Sequence, residues 1–375
     1  MFIHFSILAM ILVMSLLYER RIKTEKVLVA EESDGGFIYN SPLLPWLLVF
    51  ALITYYATVR TDVNDSLAYI DIYDIFLEPT WDYIQKIATD NSSDKGFYIL
   101  STLFKMYIST DYHLWFFVIS VICSISFIYF FRKYAVSYLD TLFFFFCTTL
   151  YFNFFSMMRQ WLAISIVLFA FGFLRKGKFI PFMLICILAA QFHNSAYFMI
   201  PIYFLVRGEA WKRKQISIIA VFAIAVVFLS PLLGRLESST TGWTYDYVAK
   251  SMNTNTGSSF IRPIIALIPV VFAFLFRNEI KDKTVNILIN ISLLNLLLNI
   301  LAVFTSGLFV IRFSTYFSVF LTILFPYLLN VTLKDNPNIK IIKVGYYVFY
   351  FIYYWYQMSY SESWMYGSDI LGYFM

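Results

Sequence analysis

The sequence predicts an all-α polytopic integral membrane protein of about twelve transmembrane helices, forming a single membrane domain over residues 1–375. Three observations carry this expectation. Of the 375 residues, 60% are hydrophobic and 14% are charged; a soluble domain is about 25% charged, so this chain could not cover a surface in water. Apolar runs approaching the roughly 20 residues that a membrane helix needs recur along the whole chain, and mean hydropathy is +0.71. Basic residues, finally, gather in every second linker.

The candidate spans are 2–18, 43–59, 113–131, 138–158, 160–174, 179–192, 194–206, 215–233, 262–276, 284–304, 308–329 and 344–358. The first has no basic n-region and no small-residue cleavage site, and it runs into Glu19-Arg20-Arg21-Ile22-Lys23. It is expected to be a retained span and not a removed signal peptide. Linkers beginning at residues 19, 132, 175, 207, 277 and 334 hold 19 of the 28 Lys and Arg residues. Twelve spans place all six on one face, the cytoplasm by the positive-inside rule, with both termini outside. The net charge of +5 matters less than this distribution, and no nucleic-acid partner is expected. The 29 Tyr and 8 Trp suit the two membrane–water interfaces. Cys123, Cys147 and Cys186 sit in apolar runs and read as packing residues, not as a disulfide or metal set.

Two external segments are long enough to contribute to function. Residues 60–112 form the first external loop; Phe97, Leu100, Leu103 and Phe104 fall at helical spacing, which predicts an interfacial helix over 96–107. Residues 234–261 form the second, rich in Ser, Thr, Trp243 and Tyr245. That composition fits equally a glycan-binding surface or a solvated loop with interfacial aromatics.

Nine basic residues break the charge pattern: Arg60, Lys86, Lys95, Lys105, Arg159, Arg235, Lys250, Arg262 and Arg312 all fall on the outer side. Depth follows from counting. Sixteen residues separate Arg159 from the cytoplasmic Arg175, about 24 Å of helix; fifteen separate His193 from Gly208, and fifteen Arg262 from Arg277, about 22 Å each. The hydrocarbon core is about 30 Å thick, so these three side chains are expected at similar depth beneath the outer boundary. An ionisable group there costs several kcal/mol unless it meets a wet cavity or a partner, or snorkels outward along its stem. A shared cavity holding arginines suits the oxygens of a lipid-linked diphosphate, because the guanidinium is a planar, permanently charged fork. The chain carries no His/Cys cluster, His-Glu-x-x-His motif or phosphate-cradling glycine loop, so neither a metal nor another cofactor is expected.

Three stretches resemble the Wzy/EpsG-type polysaccharide polymerases of bacterial envelopes. They are Arg60-Thr61-Asp62-Val63-Asn64-Asp65-Ser66-Leu67-Ala68-Tyr69 with Tyr73 beyond, Arg159-Gln160-x-Leu162-Ala163, and Ala189-Ala190-Gln191-Phe192-His193-Asn194-Ser195-Ala196. Their order and membrane positions fit over about residues 40 to 210, although Asn64 replaces the glycine usual before the first-motif Asp. The resemblance implies a GT-C-like membrane glycosyltransferase in the bacterial inner membrane, with its site facing the exterior. It would transfer a growing glycan from undecaprenyl diphosphate onto a lipid-linked repeat unit, with a chain-length regulator as a further partner. On that reading Arg159, Arg262, Arg312 and Arg60 hold the diphosphate, and His193, Asp65 or Asp62 is the general base. Trp243 and Tyr245 would meet glycan, and Tyr69 and Tyr73, four apart, would form either a sugar platform or an interfacial belt. A diphosphate is already a stabilised anion when it leaves, so preorganised positive charge serves without a metal.

Other readings make different demands. His193 has a second reading, as a span-end residue bonded to a neighbouring carbonyl, and Asp62 and Asp65 have one as helix caps or partners of Arg60. A lipid-linked oligosaccharide flippase should show repeats and midplane polar residues. A membrane O-acyltransferase needs its histidine open to a cytoplasmic donor, and a ligase would share nearly every feature of a polymerase.

Overall fold

The computed structural model describes residues 2–24, 41–90, 93–238, 258–280, 282–304, 307–360 and 365–372. Trp243 and Tyr245 lie outside them. The described residues form fifteen α-helices and no β-strand. In order these are α1 (Phe2–Thr24), α2 (Leu43–Thr58), α3 (Ser66–Asp71), α4 (Trp81–Thr89), α5 (Lys95–Tyr107), α6 (Tyr112–Tyr134), α7 (Tyr138–Cys147) and α8 (Met158–Lys176). They continue as α9 (Phe179–Ala190), α10 (Met199–Leu205), α11 (Arg213–Ser238), α12 (Ile261–Leu275), α13 (Lys283–Phe304), α14 (Gly307–Tyr327) and α15 (Ile339–Tyr360). The segments Tyr112–Tyr134, Met158–Lys176, Lys283–Phe304 and Val310–Thr332 are long and apolar enough to cross a membrane, and five shorter apolar helices accompany them. The protein is membrane-embedded and all-helical.

Helices α6 and α8 form the centre. Trp161 stacks on Phe127 with centroids 4.9 Å apart, and Phe50, Phe131, Phe145 and Phe154 pack around them. Around this core the basic linkers gather at one end. Arg132 donates to the Ser41 carbonyl (2.9 Å), and Lys343 lies 3.7 Å from the buried Asp140 at the start of α7. Asn290 donates to the Val206 and Gly208 carbonyls, and Asn286 accepts from the Ala210 N–H. Gly177 approaches the Arg207 guanidinium, and Gly172 of α8 approaches the Tyr134 hydroxyl at the end of α6. At the opposite end the C-terminal segment meets the loop after α2: Gly367 N–H donates to the Asp62 carbonyl (2.8 Å), and Thr61 N–H to the Gly367 carbonyl (2.9 Å).

One expected span is interrupted and another is shortened. The run 138–158 is not one helix: α7 stops at Cys147, a 3-10 turn covers Leu150–Phe154, and Thr149 and Met157 are left-handed, with φ of +60° and +50°. Small polar residues explain the stop. Thr148 Oγ1 donates to the Phe144 carbonyl, Thr149 Oγ1 to that of Thr148, and Asn153 to that of Leu150, satisfying locally what a continuous helix would satisfy in its ladder. The expected spans 179–192 and 194–206 are separate, but the second begins with a 3-10 turn at Asn194–Phe198 before α10. Helix α9 has 12 residues and α10 has 7, rising about 18 and 10 Å, so this break lies short of the far side of a core about 30 Å thick. Non-helical backbone at membrane depth persists where it is covered by protein or lines a cavity. Helix α5 forms where the interfacial helix was expected, but Phe97 and Phe104 pack against Trp115 (6.1 and 5.0 Å), so protein covers part of that apolar face.

Candidate functional site

The first break opens onto a cavity of about 370 Å³, within the range of about 300–1,000 Å³ usual for ligand sites. Its walls are the interrupted segment (Thr148, Thr149, Asn153, Ser156, Met157), the start of α12 (Arg262), and facing stretches of α13 and α14 (Asn295, Asn299, Arg312, Ser318). Asp65, just before α3, completes it. Two cations and one carboxylate therefore share a partly open space, leaving a net positive charge. Among the described residues neither the Arg262 nor the Arg312 guanidinium spends a hydrogen bond on protein, and each carries five N–H donors.

Asp65 is fixed by the second left-handed residue: both carboxylate oxygens accept from Met157 N–H at 3.1 Å. Burial pushes the Asp65 carboxyl above the usual carboxylate range, while Arg312, the Met157 N–H and Arg60 pull it back down. A carboxylate held this way takes up a proton more readily than one in water.

Arg159 and His193 are placed elsewhere. The Arg159 guanidinium donates to Asp94 Oδ2 (2.9 Å) and to the Tyr98 hydroxyl (3.2 Å). The other oxygen, Asp94 Oδ1, accepts from Asn194 N–H (2.9 Å) and lies 3.8 Å from His193 Nδ1. Asp94 is 3% exposed and left-handed, with φ of +57°. Beside it, Gly96 and Phe97 donate backbone N–H to the Gln191 carbonyl at 2.8 and 3.3 Å. A Cβ on Gly96 would sit 2.7 Å from Gln191 Cβ, so only glycine allows this approach. Asp94 thus ties the external loop to α8 and to the break after α9.

The expected single pocket for Arg159, His193 and Arg262 resolves into two neighbouring arrangements. Arg262 and Arg312 share the cavity with Asp65, whereas Arg159 and His193 surround Asp94. Helix α8 joins them: Tyr69 OH accepts from Arg159 N–H (3.4 Å), and Gln160 Nε2 donates to the Arg312 carbonyl. The three motif stretches therefore converge at the start of α8, with Asp65 and Tyr69 from the first, Arg159 and Gln160 from the second, and His193 and Asn194 from the third.

The remaining expected residues that the structure describes do not line the cavity. Arg60 is 1% exposed; its Nε donates to Ser66 Oγ (3.0 Å), another nitrogen to the Ala57 carbonyl, and its guanidinium lies 4.0 Å above the Phe116 ring. Asp62 meets Gly367 through backbone. Tyr73 is 1% exposed, stacks on Trp115 and donates to the Ser109 carbonyl (2.6 Å); Tyr69 packs edge-on to Phe97. These contacts are those of packing residues. No group of three or more His, Cys, Asp and Glu able to hold a metal occurs among the described residues.

Sequence reasoning passed over Asp94, Gln160, Asn295 and Asn299. The last two had a visible signal: Asn286, Asn290, Asn295 and Asn299 recur at helical spacing within an otherwise apolar span, where polar side chains need partners or a cavity.

The fold and site define a membrane-embedded helical protein with a cationic cavity at one end of its bundle, opposite the basic linkers. The chain belongs to the EpsG family, whose profile matches residues 43–374. No curated protein and no solved structure matches it significantly. Membership gives the coarse activity, that of a glycosyltransferase-like polysaccharide polymerase.

Proposed function

We propose that the chain polymerises lipid-linked oligosaccharide repeat units on the outer face of the bacterial inner membrane, working in the cavity between the interrupted segment after α7 and helices α12, α13 and α14. The observation that carries this reading is the pair of cavity guanidiniums, Arg262 and Arg312, unspent among the described residues and facing the same space as the half-buried Asp65. Arg159 and Arg60 are engaged with protein and neither lines the cavity, so the diphosphate is assigned to Arg262 and Arg312. Twelve spans with outer termini fit the gathering of basic linkers at one end and of the C-terminal segment with the first external loop at the other.

The chemistry is a displacement at the anomeric carbon of the donor glycan. The hydroxyl oxygen of the acceptor unit attacks that carbon as its bond to the diphosphate oxygen breaks. The electron pair leaves with undecaprenyl diphosphate, and the hydroxyl proton passes to Asp65. Charge grows on the diphosphate during the step, so cations already in place favour the transition state over the ground state. His193 stands with Asp94 and serves to position α8.

The test is the surface glycan of cells carrying Arg262→Ala, Arg312→Ala or Asp65→Asn at normal protein level. Single repeat units should replace long chains. Lipid-linked units trapped inside the cell would point instead to a transporter, and unchanged chain length in all three would overturn the assignment.

A further inference from the structure

The proposed function uses only the charged mouth of the cavity. Its other wall consists of Asn295 and Asn299 on α13 and Ser314, Thr315 and Ser318 on α14, all buried or half-buried. From Arg312 to Ser318 is six residues, so this wall runs about 9 Å along α14 away from the arginine. No charged side chain lies on it.

The bonding within the wall is polarised. Asn299 Nδ2 donates to the Asn295 backbone carbonyl (2.8 Å) and to its Oδ1 (3.2 Å), and Ser318 Oγ shares its proton between the same Oδ1 and the Ser314 carbonyl, both at 3.1 Å. Both amides are thereby held in one orientation. Ser314 and Thr315 spend their protons on the Ile311 carbonyl at 2.8 and 3.1 Å. Among the described residues this leaves Asn295 Nδ2 as a donor without a protein partner. Asn299 Oδ1 and the Ser314 and Thr315 oxygens remain as acceptors.

We infer that this wall is a binding subsite for an uncharged, hydroxyl-rich sugar ring, held next to the diphosphate by Asn295, Asn299, Ser314, Thr315 and Ser318. The inference rests on the function proposed above and says which part of the cavity reads the glycan. Hydroxyls both donate and accept, and so can satisfy the mostly acceptor surface and its one donor together. Phosphate and carboxylate oxygens only accept, and would leave most of the wall unsatisfied. An acyl chain would bury every one of these groups without a partner, which costs free energy at each. Polar residues can also serve simply to hold membrane helices together, but groups that only bridge helices would be spent on each other.

Binding to the purified full chain in detergent separates the alternatives, with two probes: undecaprenyl diphosphate, and lipid-linked repeat units extracted from cells lacking this chain. Asn299→Leu and the near-isosteric Thr315→Val should bind undecaprenyl diphosphate as the wild type does and the glycan-bearing lipid about 2- to 10-fold more weakly, one hydrogen bond's worth. Thr315→Val carries the test if Asn299→Leu does not fold. Arg312→Gln should weaken both probes. Equal weakening of both lipids by the wall variants, or of neither, overturns the subsite while leaving the charged mouth intact. A wild type that binds neither lipid overturns the functional reading and the subsite with it.

Discussion

Replacing Asp94 by Asn should destabilise the protein without touching the cavity. Asp94 has a 2% exposed side chain and faces Arg159, whose side chain is 19% exposed, at 2.9 Å. Asparagine tolerates the left-handed backbone that position 94 requires and keeps an oxygen to accept from Asn194 N–H. The substitution therefore removes the charge and the acceptor that meets Arg159, leaving an NH2 group opposite the guanidinium. Breaking a buried ion pair by neutralising one partner costs about 3–5 kcal/mol when both ions are fully buried. Arg159 is partly exposed and keeps its Tyr98 contact, which brings the expectation down to about 2–3 kcal/mol. Asp94→Ala also loses the Asn194 acceptor and the tolerance for positive φ, and should approach the upper figure. The assay is thermal unfolding of the purified protein in detergent, read by the loss of its monodisperse size-exclusion peak. A double-mutant cycle with Arg159→Met should then show that Asp94→Asn costs little once the guanidinium is gone. An unchanged midpoint for both Asp94 variants, or a cost that adds fully to that of Arg159→Met, would refute the assignment of Asp94 as the buried partner that fixes α8.

The cavity makes the opposite prediction. Arg262→Ala and Arg312→Ala should leave the unfolding midpoint nearly unchanged, since among the described residues neither guanidinium hydrogen-bonds protein, while polymerisation falls by on the order of a hundredfold for each; a large stability loss with activity kept would show them to be structural. Because burial raises the Asp65 carboxyl, its base form is lost at a higher pH than for an ordinary carboxylate. The acid limb of kcat/KM should accordingly lie above the usual carboxylate range and disappear with the residual activity of Asp65→Asn; a limb at the ordinary position would assign the base elsewhere. Gly96→Ala should cost about 1–3 kcal/mol through its contact with Gln191, seen as a lower unfolding midpoint and reduced protein level.

Hydropathy and charge were enough to recognise a membrane-embedded helical protein, because lipid and water sort residues by polarity one at a time. The three motif stretches were legible as well, but that they meet at the start of α8 was not. Averaging over a window hid the break at 148–157: Phe143–Phe146 and Tyr151–Phe155 outweigh Thr148, Thr149 and Asn153 in any hydropathy sum, yet those three side chains help end the helix. Depth counting placed Arg159, His193 and Arg262 at one level, and a level is a plane with room for more than one site.

Which charged groups are spent and which are free was decided by tertiary structure alone. Arg159 and Arg312 are equivalent in sequence, each an arginine at the outer end of an apolar run. Asp94, 65 residues away in sequence, occupies the first, while the described surroundings of the second are Asp65 and neutral polar groups lining open space. Composition and periodicity report a residue's preference for water or lipid, which belongs to that residue alone. The partner that neutralises a buried charge is brought by the chain's path through space, and that path also separates the binding arginines from the structural ones.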